Sequence, residues 1–174
     1  MAKFIELAQK DKRVRALLKA LHNGAYHIDL ESLEREIDSL HLSRQVRTLK
    51  TVEVMQSFQK RFVDASLQNQ AYRSRLVEIK VKCFRVAAKL EEHLVAVRGI
   101  LSVTYPNSLK AYRTVAERRA VINSVLEEPM AFLTKLELKD KELTEIIKDL
   151  DQSAWALKSI LDAMNITKDI GAKF

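Results

Sequence analysis

Arginine and tyrosine side chains near the middle of the chain have the types and spacing needed to hold a phosphate-bearing strand. The cations that could neutralise phosphate are Arg98, Arg113, Arg118 and Arg119, followed by Arg85 and Lys89. Such binding depends on phosphate neutralisation and counterion release, and it needs no base-reading motif. Tyr105 and Tyr112 stand among these cations and could stack on unpaired bases, which favours a single strand over a duplex. Packing at a turn is the alternative role for both tyrosines.

Sequence motifs for catalysis or metal binding are missing. The chain has no P-loop, no dinucleotide-binding glycine pattern and no His-Glu-x-x-His motif. The four histidines lack the spacing of metal ligands, and Leu90 stands where a di-iron bundle would need a glutamate before His93. Cys83 lies at an apolar position, which predicts a buried, unreactive thiol. We therefore expect a non-enzymatic protein without cofactor or metal.

The composition is typical of a helical protein. The 174 residues include 3 glycines and 2 prolines, with 47% apolar and 30% charged side chains, and strand-like runs between turns are absent. A single cysteine excludes an internal disulfide and fits a reducing compartment. Neither a membrane-length apolar run nor the apolar core of a signal peptide occurs. These features predict an all-α cytoplasmic protein with no membrane partner.

Helix stop signals divide the chain. Asn23-Gly24 ends an N-terminal helix, residues 1–24, whose helical part is predicted from Ala2 to His22. Residues 25–174 are predicted to form a long helical hairpin in the same single domain. The reversal lies near 104–108 (TYPNS), a further helix follows over 109–128, and Pro129 breaks or kinks the chain. The expected fold is thus an elongated helical hairpin joined by an N-terminal helix.

The long helix before the reversal carries a heptad repeat typical of coiled coils. With Leu76 at position a, apolar residues fill nearly every a and d position from Met55 to Ile100. The polar exceptions are Asn69 and His93, which we interpret as devices that fix register or oligomeric state. Because two helices bury only one stripe each, we expect hairpins to self-associate into a homo-oligomer.

Positive charge flanks this seam. The stretch 72–90 (YRSRLVEIKVKCFRVAAKL) holds many Lys and Arg residues but a single acid, Glu78. Arg75 and Lys82 occupy g positions, and Arg73 and Lys80 occupy e positions. In a parallel self-pairing coil these rows would face like charges and repel. Pairing with acids of the last helix would relieve this repulsion; the acids concerned are Asp140, Glu142 and Asp149. They are too few to neutralise every cation, so the surplus near the reversal indicates a polyanionic ligand.

Residues 112–165 resemble the recombination mediators of T-even-type phages, the UvsY family. The pattern that carries the resemblance consists of Val125, Leu126, Glu127 and Glu128, then a long helix ending in Trp155, Leu157, Lys158 and Ile160. In that family a Lys-x-Arg pair just before the turn contributes to single-stranded DNA binding. Arg98 stands near that place here, and Ala96 replaces the lysine.

The resemblance implies a function as well as a fold. Members of the family form a ring of subunits that binds single-stranded DNA. They help a recombinase displace single-strand-binding protein and form a filament, and they hydrolyse no nucleotide. The implied partners of this chain are therefore single-stranded DNA, a recombinase and a single-strand-binding protein, in the host-cell cytoplasm.

Two other functions stay open on the sequence. A coiled-coil scaffold, adaptor or assembly chaperone would use the basic face to bind an acidic protein. A membrane-surface helix pair would use it to bind anionic lipid, although the basic rows flank a seam suited to helix partners. Salt-sensitive DNA binding favours the mediator, and liposome binding favours the membrane protein. Trp155, the single tryptophan, is predicted to pack against a neighbouring helix.

Overall fold

Helices make up all the regular secondary structure of the computed structural model, which describes residues 2–24, 26, 28–48 and 58–171. The helices of this described part are α1 Ala2–Lys10, α2 Lys12–His22, α3 Leu30–Thr48, α4 Phe58–Thr104, α5 Pro106–Leu109, α6 Val115–Val125 and α7 Glu127–Gly171. The prediction of an all-α fold is confirmed. The chain divides into two compact units: unit 1 is Met1–Ile28 with Lys82–Asp140, and unit 2 is Asp29–Val81 with Lys141–Phe174.

The N-terminal segment forms two helices, where the sequence predicted one. Asp11 separates α1 from α2 and has an extended backbone, and its carboxylate accepts a hydrogen bond from the Arg13 amide at 2.8 Å. This is the geometry of an N-cap, which satisfies one of the free amides at the start of a helix. The helical end at Asn23-Gly24 agrees with the prediction, and Gly24 has a φ of 71° that favours glycine.

Replacing Asp11 with alanine is expected to lower the free energy of unfolding by about 0.5–2 kcal/mol, the usual contribution of an N-cap side chain. The Tyr105 hydroxyl also donates to this carboxylate at 3.0 Å, so the variant loses a tie between α2 and the reversal. Asp11→Asn is the matched control, because asparagine caps helices as well as aspartate does. Urea unfolding at pH 7 measures the effect; equal stability of the Ala variant and the wild type would contradict it.

Acid unfolding gives a second readout of the same residue. The hydrogen bond from the Arg13 amide, helped by the Tyr105 hydroxyl, holds the pKa of Asp11 below its ordinary value of 3.8. A carboxyl group with a lowered folded-state pKa stabilises the fold fully above its unfolded-state pKa. That contribution is lost as the pH falls through the folded-state value. Asp11→Asn should therefore lose less stability than the wild type below about pH 4.

The predicted seam on α4 is confirmed in its middle and wrong at its end. Leu76, Ile79, Cys83 and Leu90 are buried, and burial raises the pKa of the Cys83 thiol as expected for an unreactive cysteine. After Leu90, the buried positions are Leu94, Val97 and Leu101. His93 is exposed and Ile100 is half-buried, so neither continues the seam. In a nearly straight helix, a strict heptad pattern drifts around the helix by about 20° per heptad. The step of four residues from Leu90 to Leu94, where the heptad pattern has a step of three to His93, corrects this drift.

The polar seam residue Asn69 is half-buried in α4. Its proposed role in register or oligomeric state stays a prediction. The seam positions Met55, Phe58, Phe62 and Ala65 lie outside the part of the chain whose side chains the structure describes.

The reversal contains a short helix and a loop before the chain returns. α4 ends at Thr104 and α5 begins at Pro106, as the turn signals indicated. The predicted helix over 109–128 is shorter, because its cap is Thr114. The Thr114 hydroxyl accepts from the Glu117 amide at 3.1 Å, and the Glu117 carboxylate accepts from the Thr114 amide at 3.1 Å. This capping box starts α6 at Val115.

Pro129 does not break the chain as the sequence predicted. It lies inside the first turn of α7, where proline is tolerated, and the break between α6 and α7 is at Leu126.

Unit 1 has an apolar core to which all its helices contribute. Its buried members are Phe4, Ala8, Val14, Leu17, Tyr26, Leu90, Leu94, Val97, Leu101, Leu109, Tyr112, Ile122, Val125 and Leu126. Phe132 and Leu133 of α7 pack partly against them. Because α1 and α2 share this core with the end of α4, the N-terminal helices fix the conformation of the reversal within one chain.

Unit 2 is held by a buried row and by exposed ion pairs. Ile37, Leu76, Ile79, Leu143 and Leu150 are its buried apolar residues. The guanidinium of Arg75 pairs with Glu36 of α3 at 2.5 Å and with Glu78 at 2.9 Å. Arg73 pairs with Asp151 of α7 at 2.6 Å. The prediction that Arg75 pairs with the last helix is thus wrong, because α3 supplies a nearer carboxylate.

Candidate nucleic-acid interface

The net charge of the protein resides in unit 1. By sequence, unit 1 contains 16 Lys and Arg against 9 Asp and Glu, a formal +7, whereas unit 2 contains 14 of each and is neutral. The cations of α1 and α2 add to those around the reversal, because the N-terminal helices belong to the same unit. A surface with this excess attracts polyanions over the distance that salt screening allows, about 10 Å at 0.1 M.

An open groove lies between the end of α4 and α6 in unit 1. Its volume is about 460 Å³, and the residues that line it are Arg98, Gly99, Ser102, Arg119, Ile122 and Asn123. The arginines stand on the two different helices, so the groove presents two guanidinium groups on opposing walls. The predicted site residues Arg98 and Arg119, which are far apart in sequence, are therefore brought together by the fold.

The Arg98 side chain is held in place on one wall. Its Nε donates to Asn123 Oδ1 at 3.0 Å, and its Nη2 lies 3.1 Å from the Met130 sulfur. A guanidinium has five N–H donors, so these two contacts leave other donors of Arg98 for an anionic ligand. A cation fixed in this way loses less side-chain entropy when it binds an anion than a freely rotating one. Asn123 was not among the predicted site residues, since nothing in its sequence context marks it.

Gly99 forms an open part of the groove floor. A methyl group built at Gly99 would meet no atom within 4 Å, so no packing within the protein requires glycine there. Glycine inside a helix is less stable than alanine by roughly 0.5–1 kcal/mol. In a groove, an unfilled position of this kind permits a ligand to approach the backbone closely. The signal in the sequence that could have pointed to this open position is the glycine itself, which stands inside a helix, five residues before the end of α4.

Exposed cations continue from the groove toward the reversal. Arg113 and Lys110 are exposed beside α6, as is Arg119. Within the described residues, no carboxylate pairs with any of the three. The carboxylate nearest to Arg113 in sequence is that of Glu117, which is engaged in the α6 capping box. These cations are therefore available to an anionic ligand.

The other residues predicted at the site have contacts within the fold. Arg118 is half-buried, and its Nε donates to the Tyr112 carbonyl at 3.0 Å, which fixes the loop before α6. Tyr112 is only 8% exposed and belongs to the core, so its ring offers almost no surface for stacking. Tyr112 therefore packs at the turn, which was the alternative to base stacking considered for it from the sequence.

Tyr105 is half-buried between α1 and the reversal. Its ring packs edge-on against Phe4 with centroids 6.2 Å apart. Its hydroxyl donates to Asp11, and that hydrogen bond raises the pKa of Tyr105. The exposed part of the ring is the remaining aromatic surface among the predicted site residues.

Arg85 and Lys89 lie apart from the groove, on earlier turns of α4. At 1.5 Å per residue they are about 20 Å and 14 Å from Arg98 along the helix axis. Lys89 Nζ lies 5.8 Å from the centroid of the Tyr26 ring, a cation–π distance. The Tyr26 hydroxyl is hydrogen-bonded to His93 Nδ1 at 2.5 Å. His93 thus anchors the loop after α2, rather than occupying the seam.

In unit 2, Trp155 is 72% exposed, so the prediction that it packs against a neighbouring helix is wrong for this chain. It borders a depression of about 570 Å³ that Thr144, Ile147 and Lys148 also line.

The chain matches no protein-family model, and neither a curated protein nor a solved structure is significantly similar to it. Among the described residues, no helix is long and apolar enough to cross a membrane. Within residues 2–24, 26, 28–48 and 58–171, no group of three His, Cys, Asp or Glu side chains is placed to hold a metal ion.

Replacing Gly99 with alanine is expected to stabilise the protein by roughly 0.5–1 kcal/mol, because alanine is the better helix former and its methyl group meets no atom. If a phosphate backbone occupies the groove, the same methyl group should weaken its binding. Thermal unfolding and oligonucleotide titration of one variant measure both effects. Ala116→Gly, a reverse change at an exposed position of α6, is the control for helix propensity. A stabilised variant with unchanged affinity would place the ligand elsewhere.

Proposed function

We propose that this chain is a non-enzymatic single-stranded DNA-binding protein that acts as a recombination mediator. The observation that carries the binding proposal is the groove between α4 and α6. It combines two opposing guanidinium groups with an open glycine floor, in the unit that holds the entire net charge. Charge-assisted contacts between guanidinium and phosphate are the principal recognition expected there.

The chemistry of the groove supports binding rather than catalysis. Its lining consists of two arginines, an amide, a hydroxyl, an isoleucine and a glycine. None of these is a histidine or carboxylate that would act as a general base. Ser102 donates its hydroxyl to the Gly99 carbonyl at 2.6 Å, so it is not positioned by a base as a nucleophile would be.

A flexible single strand fits this surface better than a duplex. The available cations lie on a groove wall and on the loop before α6, on different elements of unit 1. A single strand can bend to place successive phosphates against each of them, whereas the backbone of a duplex is stiff. The half-buried Tyr105 ring, one residue beyond the end of α4, leaves part of its surface for one base.

The mediator role rests on the resemblance of residues 112–165 to the UvsY family. In that role, the protein binds DNA together with a recombinase and a single-strand-binding protein, and it works as a homo-oligomer in the cytoplasm. The groove lies just where α4 ends, near the position at which the family has its basic pair, and Arg98 is the residue that this chain retains.

Fluorescence anisotropy of a labelled single-stranded oligonucleotide tests the binding proposal. The titration is made at three salt concentrations, with a duplex of equal length alongside. We expect salt-dependent binding that prefers the single strand, with a slope of about −0.7 per phosphate contact in a plot of log K against log salt. Absence of binding at low salt would refute the proposal. Loading of a recombinase onto DNA coated with single-strand-binding protein then tests the mediator role separately.

A scaffold or adaptor that binds an acidic protein is the second candidate. The observation that favours it is the exposed Trp155 beside a depression in unit 2, because tryptophan is enriched at the centres of protein interfaces. The two functions differ in the oligonucleotide titration. A protein that binds no oligonucleotide, but captures a partner that is lost in Trp155→Ala, would be an adaptor.

A further inference from the structure

The outer face of α4 in unit 1 carries a second apolar stripe that no other element covers within the described residues. Phe84 is 65% exposed and Val95 is 59% exposed, and Ala88 between them is also exposed. The steps of four and seven residues place all three on one helix face. At 100° per residue, this face lies about 120–160° around the helix from the buried seam. A large exposed apolar stripe of this kind marks an interaction surface.

The charges on one flank of this stripe are arranged almost symmetrically about Ala88. Arg85 precedes Ala88 by three residues and Glu92 follows it by four, and at 100° per residue the two side chains lie within about 20° of each other around the helix. Both charged side chains are exposed, and within the described residues neither has an ion-pair partner. If two copies of α4 pack antiparallel with Ala88 near the centre, this flank meets the same flank of the partner helix, and Arg85 of each copy faces Glu92 of the other. A parallel, in-register pairing does not bring these two flanks together.

We propose that a second copy of this chain docks on this face, with a two-fold axis at Ala88. An isologous dimer requires a self-complementary patch, and the arrangement of Arg85 and Glu92 on one flank, on either side of a central alanine, is self-complementary in the antiparallel sense. The small Ala88 side chain lets the helix axes approach to about 8 Å, the short end of the usual range. Phe84 of each copy then reaches the space between Ala88 and Val95 of the other.

This interface differs from the one that the sequence suggested. The heptad seam of α4 is buried within the chain, so it is not free to pair hairpins. The proposed interface also gives Arg85 a role in self-association instead of in the groove. The inference does not depend on the proposed DNA binding, since the groove residues of α4 lie beyond Val95 in the sequence.

Ala88→Cys provides a direct test. Disulfide formation needs Cα atoms about 4.4–6.8 Å apart, a separation reached between symmetry-related residues only close to the axis. We expect mild oxidation to give a covalent dimer of Ala88→Cys but not of Val103→Cys, which changes a 79% exposed residue near the end of the same helix. The native Cys83 is fully buried, so it should not contribute. Cross-linking of Val103→Cys alone would overturn the proposal.

Charge reversal tests the antiparallel register independently. We expect Arg85→Glu to raise the dimer dissociation constant by about tenfold or more, because it opposes acids across the interface. Combining Arg85→Glu with Glu92→Arg should restore association, since the pair is exchanged in both copies. Sedimentation equilibrium measures the constants, and circular dichroism confirms that the exposed substitutions leave the helices folded. A wild type that is monomeric at 100 μM, or a double variant no tighter than Arg85→Glu, would overturn the proposal.

Discussion

The double variant Arg113→Ala/Arg119→Ala is expected to bind single-stranded DNA about 25-fold more weakly than the wild type at 0.1 M salt. Both arginines are exposed and have no ion-pair partner among the described residues, so their removal should leave the fold intact. Each phosphate contact with a single strand contributes about 0.7 to the salt slope. Loss of two contacts therefore reduces the slope by about 1.4. If the variant and the wild type bind equally at about 1 M salt, where the phosphate term vanishes, their affinities differ by about 10 to the power 1.4, or about 25-fold, at 0.1 M.

Lys141→Ala/Lys158→Ala is the matched control for this experiment. Both lysines are exposed on α7 in the neutral unit 2 and have no ion-pair partner among the described residues, and the variant also loses two positive charges. If binding depended only on net charge, the two double variants would weaken equally. We expect the control to keep nearly the full slope. Equal loss in both variants would remove the groove and its rim from the proposed site.

Replacing Leu94 with alanine is expected to lower the free energy of unfolding by about 2–5 kcal/mol, the usual cost of removing a fully buried leucine side chain. Leu94 is 0% exposed and belongs to the unit 1 core. The cost combines the lost burial of apolar surface with the cavity that remains, because the helices on either side cannot fully collapse into it. Urea unfolding followed by circular dichroism measures the change.

Val103→Ala is the control on the same helix, because Val103 is 79% exposed and should cost little. Ile100→Ala distinguishes the two registers of the seam. In the register predicted from the sequence, Ile100 is a core position, whereas in the structure it is half-buried and Leu101 replaces it. A larger loss of stability in Ile100→Ala than in Leu94→Ala would favour the sequence register over the observed one.

Much of the local structure could be predicted from the sequence, because it depends on neighbours along the chain. The scarcity of glycine and proline determined that the protein is all-α, and the apolar spacing determined that Leu76, Ile79, Cys83 and Leu90 share a buried face. The gathering of cations near the end of α4 was also visible. A strict heptad, however, could not show where a nearly straight helix leaves the register, because that depends on what packs against it.

Contacts between distant residues were decided by the tertiary structure alone. Asp11 and Tyr105 are 94 residues apart in sequence, yet their hydrogen bond joins α2 to the reversal. The pairing of Arg75 with Glu36 and the burial of Tyr112 likewise depend on which helices share a core. Sequence spacing fixes which side chains lie on one face of a helix, since the backbone geometry repeats. Which partner covers that face depends on the shapes and volumes of all the elements packed together, and in this protein that packing placed Arg98 and Arg119 on opposite walls of one groove.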